Sequence, residues 1–292
     1  MEIRVLRYFL AVAREGSFSS AAESLHLSQP TLSRQLKDLE EQLGKQLFIR
    51  GNRKVTLTEE GLLLRKRAQE IIELAKKTES EISCSDKFIG GDIYIGGGET
   101  KGMRLVAKAV RALREDFPHI HVHLFNGNVD DVSERLDKGL LDFGVFIEPA
   151  DIGKYEFLKL PVTHKWGVIM RKDNPLAPLK AIKPKDLHGL PIMTPSREIV
   201  LNKISGWMGG IDKLNVVATF NLIFNAAFLI EEGVGCAVCI DGLVDISEKS
   251  ALCFRPLEPK MEVGMNIAWK KHQVFSKVAE EFLARMQKER NG

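Results

Sequence analysis

The chain has 292 residues, 44% of them apolar and 28% charged, with a formal net charge of +3. Those are the proportions of a soluble globular protein long enough for two domains, or for one small and one bilobed domain. So small a net charge does not announce a nucleic-acid binder, and any such role must rest on local charge. Cys84, Cys236, Cys239 and Cys253 are too few and too scattered for a disulfide framework. No uninterrupted apolar stretch approaches a membrane span. Met1-Glu2-Ile3-Arg4 leads into an amphipathic helix rather than a signal sequence, so a cytoplasmic protein is expected.

In chain order, Ser20 with Glu23 fits a capping box that opens a helix just before Ala21, Ala22 and Leu25. The break falls at 26–29, where Ser28 can cap a second helix and Pro30 sits in its first turn, where a missing N–H costs nothing. That helix runs to Gly44, a natural C′ residue, with Leu32, Leu36, Leu39 and Leu43 in one buried stripe. Its other face shows Gln29, Thr31, Ser33, Arg34 and Lys37, donors and acceptors suited to base edges and phosphates in a major groove. Lys45, Arg50, Arg53 and Lys54 follow on a hairpin with no acid among residues 45–54, a cluster suited to phosphate contacts. Residues 17–61 therefore read as a winged helix-turn-helix, all-α with a β wing. Its candidate DNA contacts are Ser28, Gln29, Pro30, Thr31, Ser33, Arg34, Lys37, Arg50 and Arg53.

From Thr58, which can cap, the chain is strongly helical to about residue 83. Leu64, Ala68, Ile71, Ala75, Thr78 and Ile82 alternate steps of four and three, a heptad seam that calls for a partner, most simply a second copy of the helix. Residues 84–92 are short, polar and glycine-bearing, as a hinge would be. Strand and helix then alternate: strand 93–96, helix 100–116, strand 119–125, helix 129–138 and strand 141–147. A second alternation begins at strand 166–171 and continues with strand 216–220, helix 221–232 and strand 235–240. A final helix fits 273–290, with Phe275, Val278, Ala279, Phe282 and Met286 on one face. Such βαβ alternation implies parallel sheet with covering helices.

The run AAESLHLSQPTLSRQLKDLEEQLG, followed by LFIRGNRKVTLTEEG, resembles the LysR-type family of bacterial transcriptional regulators. The fragments RKDNPLA and KDLHGLPIM resemble that family's second ligand-binding lobe. The resemblance covers nearly the whole chain, strongly to Gly61 and more diffusely beyond. It implies a winged helix-turn-helix at 1–58, a linker dimerisation helix at 59–86 and a bilobed, periplasmic-binding-protein-like α/β effector domain at 91–292. Lobe I would comprise 91–163 and 268–292, with lobe II, 164–267, inserted into it. It further implies linker helices paired as an antiparallel coiled coil, a homodimer or homotetramer on double-stranded DNA, and contact with RNA polymerase. The effector would be a small organic metabolite, with no resident cofactor.

Open α/β sheets bind ligands beyond the carboxyl ends of their strands. Gly97-Gly98-Glu99-Thr100-Lys101 follows the first strand, and free N–H groups with the Thr100 hydroxyl would seat a carboxylate. The resemblance carries effector contact to Thr100; Glu99 would repel an acid, and either recognises an amine or caps the helix. Across the cleft, Thr194-Pro195-Ser196-Arg197 matches the family's second effector loop, with Arg197 able to pair bidentately with an acid. Gly98, Glu99, Thr100, Asn128, Phe146, Thr194, Ser196, Arg197 and Phe220 are the candidate effector contacts, with Asn221 beside them. His119, His121 and His123 share one strand face, which reads as the solvent face rather than a metal site. Cys236-x-x-Cys239 lies in a stretch that reads as buried strand, where cysteine is a small hydrophobe. No catalytic motif is found. The expected function is operator binding controlled by a small-molecule effector; the alternatives are a ligand-independent architectural DNA binder and an enzyme with a DNA-binding appendage.

Overall fold

The computed structural model describes residues 1–51, 54–83, 90–210 and 213–291. The chain divides into two units, Met1–Ser83 and Cys84–Gly292. None of the described helices is long and apolar enough to cross a membrane.

In the first unit, helices α1 (Ile3–Glu15), α2 (Phe18–Ser24) and α3 (Gln29–Leu43) precede a hairpin of β1 (Phe48–Arg50) and β2 (Val55–Leu57), then α4 (Glu59–Ser83). Gly16, at φ 63°, stops α1, and Ser17 caps α2 by accepting from the Ser20 N–H. The helix thus opens earlier than the capping box expected at Ser20 and Glu23. Its start is fixed by Phe18, which is buried edge-on to Phe48 with ring centroids 5.4 Å apart. Ser28 and Pro30 open α3 and Gly44, at φ 64°, ends it, as their residue types dictate. Leu32, Leu36 and Leu39 are buried, but Leu43 is 42% exposed. The stripe stops short because Glu40 Oε1 accepts from the N–H groups of Leu47 (2.7 Å) and Phe48 (3.2 Å), which turns the chain into the wing. Leu47 and Phe48 then fill the core in Leu43's place.

Thr58 begins α4 by accepting from Gly61 N–H at 3.0 Å while its hydroxyl donates to Gln46 O at 2.8 Å. The expected single heptad seam divides in two. Leu64 and Ala68, with Ile72, pack into the unit's own core, while Ile71, Leu74 and Ile82 stay exposed, Ile82 at 79%. The early seam residues are spent locally because α1 lies against this part of α4.

The second unit contains β3 (Gly91–Gly97), α5 (Met103–Asp116), β4 (Ile120–Asn126), α6 (Val129–Asp137), β5 (Phe143–Ile147) and β6 (Tyr155–Arg171). Then come a short 3-10 turn at Pro184–Leu187, β7 (Pro191–Pro195), α7 (Glu198–Met208), β8 (Asn215–Phe220), α8 (Ile223–Glu231) and β9 (Cys236–Ile240). It ends with β10 (Leu252–Pro256), β11 (Glu262–Lys270) and α9 (Lys277–Asn291). The strand order is β4-β3-β5-β11-β6-β9-β7-β8, with β10 paired to β6. Parallel β3, β4 and β5 lie at one end, and parallel β7, β8 and β9 at the other. The antiparallel β6 and β11 join them.

Two groups of cores follow this division. One holds Ile93, Leu113, Phe143, Leu160, Met265, Ile267 and Phe282; the other holds Val168, Ile192, Ile204, Val238 and Val263. The return crossing lies at the register shift between Gly264 and Met265, so Met265 and Ile267 pack with the first core although the expected inserted lobe ran to 267. The strand expected at 166–171 begins at Tyr155, because residues 155–165 pair with β11 before the chain crosses.

Gly61 is a point where the sequence has no freedom. A Cβ there would lie 2.2 Å from Leu47 O, a backbone atom that cannot swing aside. Gly61→Ala should destabilise the N-terminal unit by about 1–3 kcal/mol, read as a lower urea midpoint in tryptic digestion of α1 to α4. An unchanged midpoint would contradict this packing.

Candidate functional site

In the first unit, Ser28, Gln29, Pro30, Thr31, Arg34 and Lys37 are exposed on the first turns of α3, and Ser33 is half-buried. Their common face follows from the helical period, since the buried Leu32, Leu36 and Leu39 take the other side. Ser28 is already committed, its Oγ 2.7 Å from Thr31 Oγ1 while it accepts from Thr31 N–H. Lys37 Nζ is 3.4 Å from Glu41, so part of its charge is screened. Arg34 has no ion pair or hydrogen bond among the described residues. The Arg50 side chain and all of Arg53 lie outside the described residues. The wing's register pairs Phe48 with Leu57 and Arg50 with Val55.

In the second unit a cavity of about 120 Å³ lies between the two strand groups. Gly98, Glu99, Asn128, Val145, Ile147 and Glu148 line it from one side; Trp166, Pro195, Arg197, Phe220, Ile223 and Cys239 are among those lining the other. Of the expected contacts, Gly98, Glu99, Asn128, Arg197 and Phe220 are on this wall, as is Asn221. Thr100, Phe146, Thr194 and Ser196 are not. Strand alternation explains three of these: Val145 and Ile147 face the cavity, so Phe146 is fully buried on the other side, stacked on Tyr155 at 5.9 Å. Likewise Pro195 and Arg197 reach the cavity, while Thr194 is fully buried and Ser196 is exposed. The apolar lining, including Val145, Ile147 and Trp166, went unread in the sequence because such residues look like ordinary core.

Most polar groups on this wall are already engaged. Asn128 Oδ1 caps α6 by accepting from the N–H groups of Asp130 and Asp131. Glu148 accepts from Gly264 N–H (3.1 Å) and Asn266 Nδ2 (3.2 Å). Arg197 donates to Pro149 O at 3.0 Å, and its Nε lies 3.6 Å from Asp130. Glu99 Oε2 accepts from Ile223 N–H at 3.0 Å. It therefore caps a helix, as one expectation had it, but α8 of the opposite side rather than its own. On this wall Trp166 is 5% exposed, and its buried Nε1 has no partner among the described residues.

Thr100 turns instead toward His164, with Oγ1 2.7 Å from Nε2, and accepts from Gly102 N–H at 3.0 Å. His164 is 0% exposed, and its Nδ1 lies 3.4 Å from Asp241 Oδ1. Asp241 is in turn ion-paired with Lys101. Burial holds the His164 pKa below its ordinary 6.5; Asp241 pulls the other way and Lys101 adds to the depression. Burial opposes ionisation of Asp241 as well, but Lys101 and the Lys165 N–H outweigh it and lower its pKa.

Cys236 and Cys239 are buried in β9, and burial pushes their thiols up to about 11 and about 12. Thiolate chemistry is thereby suppressed. In the histidine strand, His121 and His123 are exposed, with His123 Nε2 3.0 Å from Asp92 Oδ1 and its ring stacked on Tyr94 at 4.5 Å.

Two measurements follow. Because folding lowers the His164 pKa, the unfolded chain binds more protons below about pH 6.5, so stability should fall as pH drops through that value. The carboxyls, whose pKa values are also lowered, add to the loss only at more acidic pH. Urea midpoints of wild type and His164→Gln between about pH 8 and pH 5 should show a shallower slope in the variant; equal slopes would refute the assignment. Iodoacetamide at pH near 8 should leave Cys236 and Cys239 unmodified in the native chain and label both in urea, as read by mass spectrometry.

Comparison with known proteins agrees with both units. The family model described as "Bacterial regulatory helix-turn-helix protein, lysR family" matches residues 3–62, and the LysR substrate binding domain model matches 89–291. A probable RuBisCO transcriptional regulator of Porphyra purpurea is 29% identical over 239 residues, covering 80% of this chain and 75% of that protein. The hydrogen peroxide-inducible genes activator of Pectobacterium carotovorum subsp. carotovorum is 32% identical over 191 residues, covering 65% of this chain and 62% of that protein. The structure of CbnR, a LysR family transcriptional regulator, superposes with a TM-score of 0.78 at 20% identity over 99% of each chain. Full-length CbnR complexed with its target DNA gives 0.76 at 21% identity, over 99% of this chain and 100% of that one. At that identity the two structures speak for the fold. The chain belongs to the LysR family, as a DNA-binding transcriptional regulator with an effector-binding domain.

Proposed function

We propose that the chain reads an operator with the N-terminal face of α3 and that a small organic effector in the cleft of the second unit controls this binding. The observation that carries the reading is the exposed Arg34, unpaired among the described residues, on a face whose opposite side buries Leu32, Leu36 and Leu39. Gln29, Pro30, Thr31 and Ser33 would lie with it in the major groove, and the basic hairpin around Arg50, Arg53 and Lys54 would meet the backbone. The exposed Ile71, Leu74 and Ile82 of α4 favour pairing with the same helix of a second copy. Exposed apolar residues on the second unit, Phe224 and Phe228 on α8 and Leu124 on β4, favour further assembly into a homotetramer. The signal would reach RNA polymerase through DNA bending or direct contact, in the cytoplasm and with no resident cofactor.

An enzymatic reading is disfavoured by geometry. Thr100, His164 and Asp241 have the composition of a hydroxyl–imidazole–carboxylate relay, but His164 is 0% exposed and Thr100 does not line the cavity. A substrate in the cleft would not meet the hydroxyl.

The test is Arg34→Ala in the full chain, against a duplex selected in vitro for binding to the wild type. Loss of a bidentate base contact should weaken binding by about 1–3 kcal/mol, with the melting temperature unchanged. Fluorescence anisotropy at one fixed salt concentration measures it, and unaltered affinity would overturn the assignment.

A further inference from the structure

The cleft carries an anion of its own at the place where a ligand's acid group would be expected. Helix α8 opens at Leu222 and Ile223, and its first N–H groups are the positive end of its dipole. Asn221 Oδ1 accepts from Leu222 N–H at 2.9 Å, and Glu99 Oε2, from the opposite wall, accepts from Ile223 N–H at 3.0 Å. The charged residues lining the cavity are two carboxylates, Glu99 and Glu148, against one guanidinium, Arg197, which is already held by Pro149 O. An organic acid entering here would have to displace Glu99 or sit beside like charge without a free cation. The remaining wall is apolar, formed by Val145, Ile147, Val200, Phe220, Leu222 and Ile240. Trp166, 5% exposed, adds its ring to this wall, while its Nε1 is buried away from the open space. At about 120 Å³ the space is that of a single ring, close to the roughly 150 Å³ dry cavity that admits benzene.

We propose that the cleft takes a ring-sized apolar molecule without an acid group, and that Glu99, by occupying the N-terminus of α8, excludes organic acids. This rests on the reading of the cleft as the effector site and names the chemical class it admits. Glu99 is a specificity determinant that acts by charge.

The test is isothermal titration of the full-length protein with acetophenone and benzoate, which are similar in size and differ in charge. Acetophenone should bind, with benzoate roughly tenfold or more weaker. Glu99→Gln keeps the shape and an acceptor for Ile223 N–H but removes the charge, and should strengthen benzoate binding until the gap to acetophenone closes. Benzoate binding as tightly as acetophenone to the wild type overturns the proposal. So does failure of both probes at millimolar concentration, or a Glu99→Gln chain in which the gap persists. The operator assay with Arg34→Ala is independent of these titrations, so failure here leaves DNA reading standing, and failure there leaves the charge selectivity measurable.

Discussion

The antiparallel pairing of β6 with β11 is the constraint on which the cleft depends. Residues 155–165 of β6 pair with Glu262 to Lys270, with one register shift between Gly264 and Met265. Beyond Lys165 β6 continues and pairs with β9 and β10 instead. The same two strands thus belong to both strand groups, and the carboxyl ends of the parallel strands on each side are brought to face one cavity. Gly264, at the crossing, sits against Glu148, where a Cβ would come within 3.1 Å of Oε2. Its N–H donates to that same carboxylate. A cavity-lining acid is therefore fixed by the backbone of the strand that joins the two halves.

Next to this crossing, a buried polar chain runs from Thr100 through His164 and Asp241 to Lys101. It links the loop after β3 with the residue after β9, so it spans the two strand groups with side chains as β6 and β11 do with backbone. Asp241 also accepts from Lys165 N–H at 3.1 Å. The neutral imidazole suits the position, with Nε2 sharing a hydrogen bond with the Thr100 hydroxyl and Nδ1 3.4 Å from Asp241 Oδ1. Charging it would place a second cation near Lys101 on a fully buried side chain, and burial is the largest cause of its lowered pKa. Holding Thr100 in this chain also removes it from the cleft wall, where its neighbour Glu99 stands instead.

What the sequence made legible was whatever depends on residues close together in the chain. Ser28, Pro30 and Gly44 bound α3 because each enforces a local backbone state, and Leu32, Leu36 and Leu39 mark its buried face by period alone. Alternating strands and helices, from β3 to β5 and from β8 to β9, were readable for the same reason, whereas β7 and α7 were not read as elements. Leu43 and the α4 seam were misread because their fates are set by distant residues: Glu40 turning the wing, and α1 claiming Leu64 and Ala68. Within the cleft, proximity to a strand end located Gly98, Glu99, Asn128 and Arg197, but not which way alternation would send Phe146, Thr194 and Ser196. Trp166 carried no local signal, since only the packed structure shows that it lines the cavity.

A ligand biases a switch only by the difference in its affinity for the two states. In many two-lobed clefts a ligand's acid can supply that difference by bridging to a helix N-terminus. Here the bridge exists without a ligand, because Glu99 reaches Ile223 from within the chain. A second acid would compete with an intramolecular one whose effective concentration is fixed by the fold. The free energy left for a ligand to contribute is apolar burial against Val145, Ile147 and Phe220. Burial grows with contact area and does not reward an acid. The chemistry of the signal is therefore set less by the cations the cleft presents than by the anion already in it.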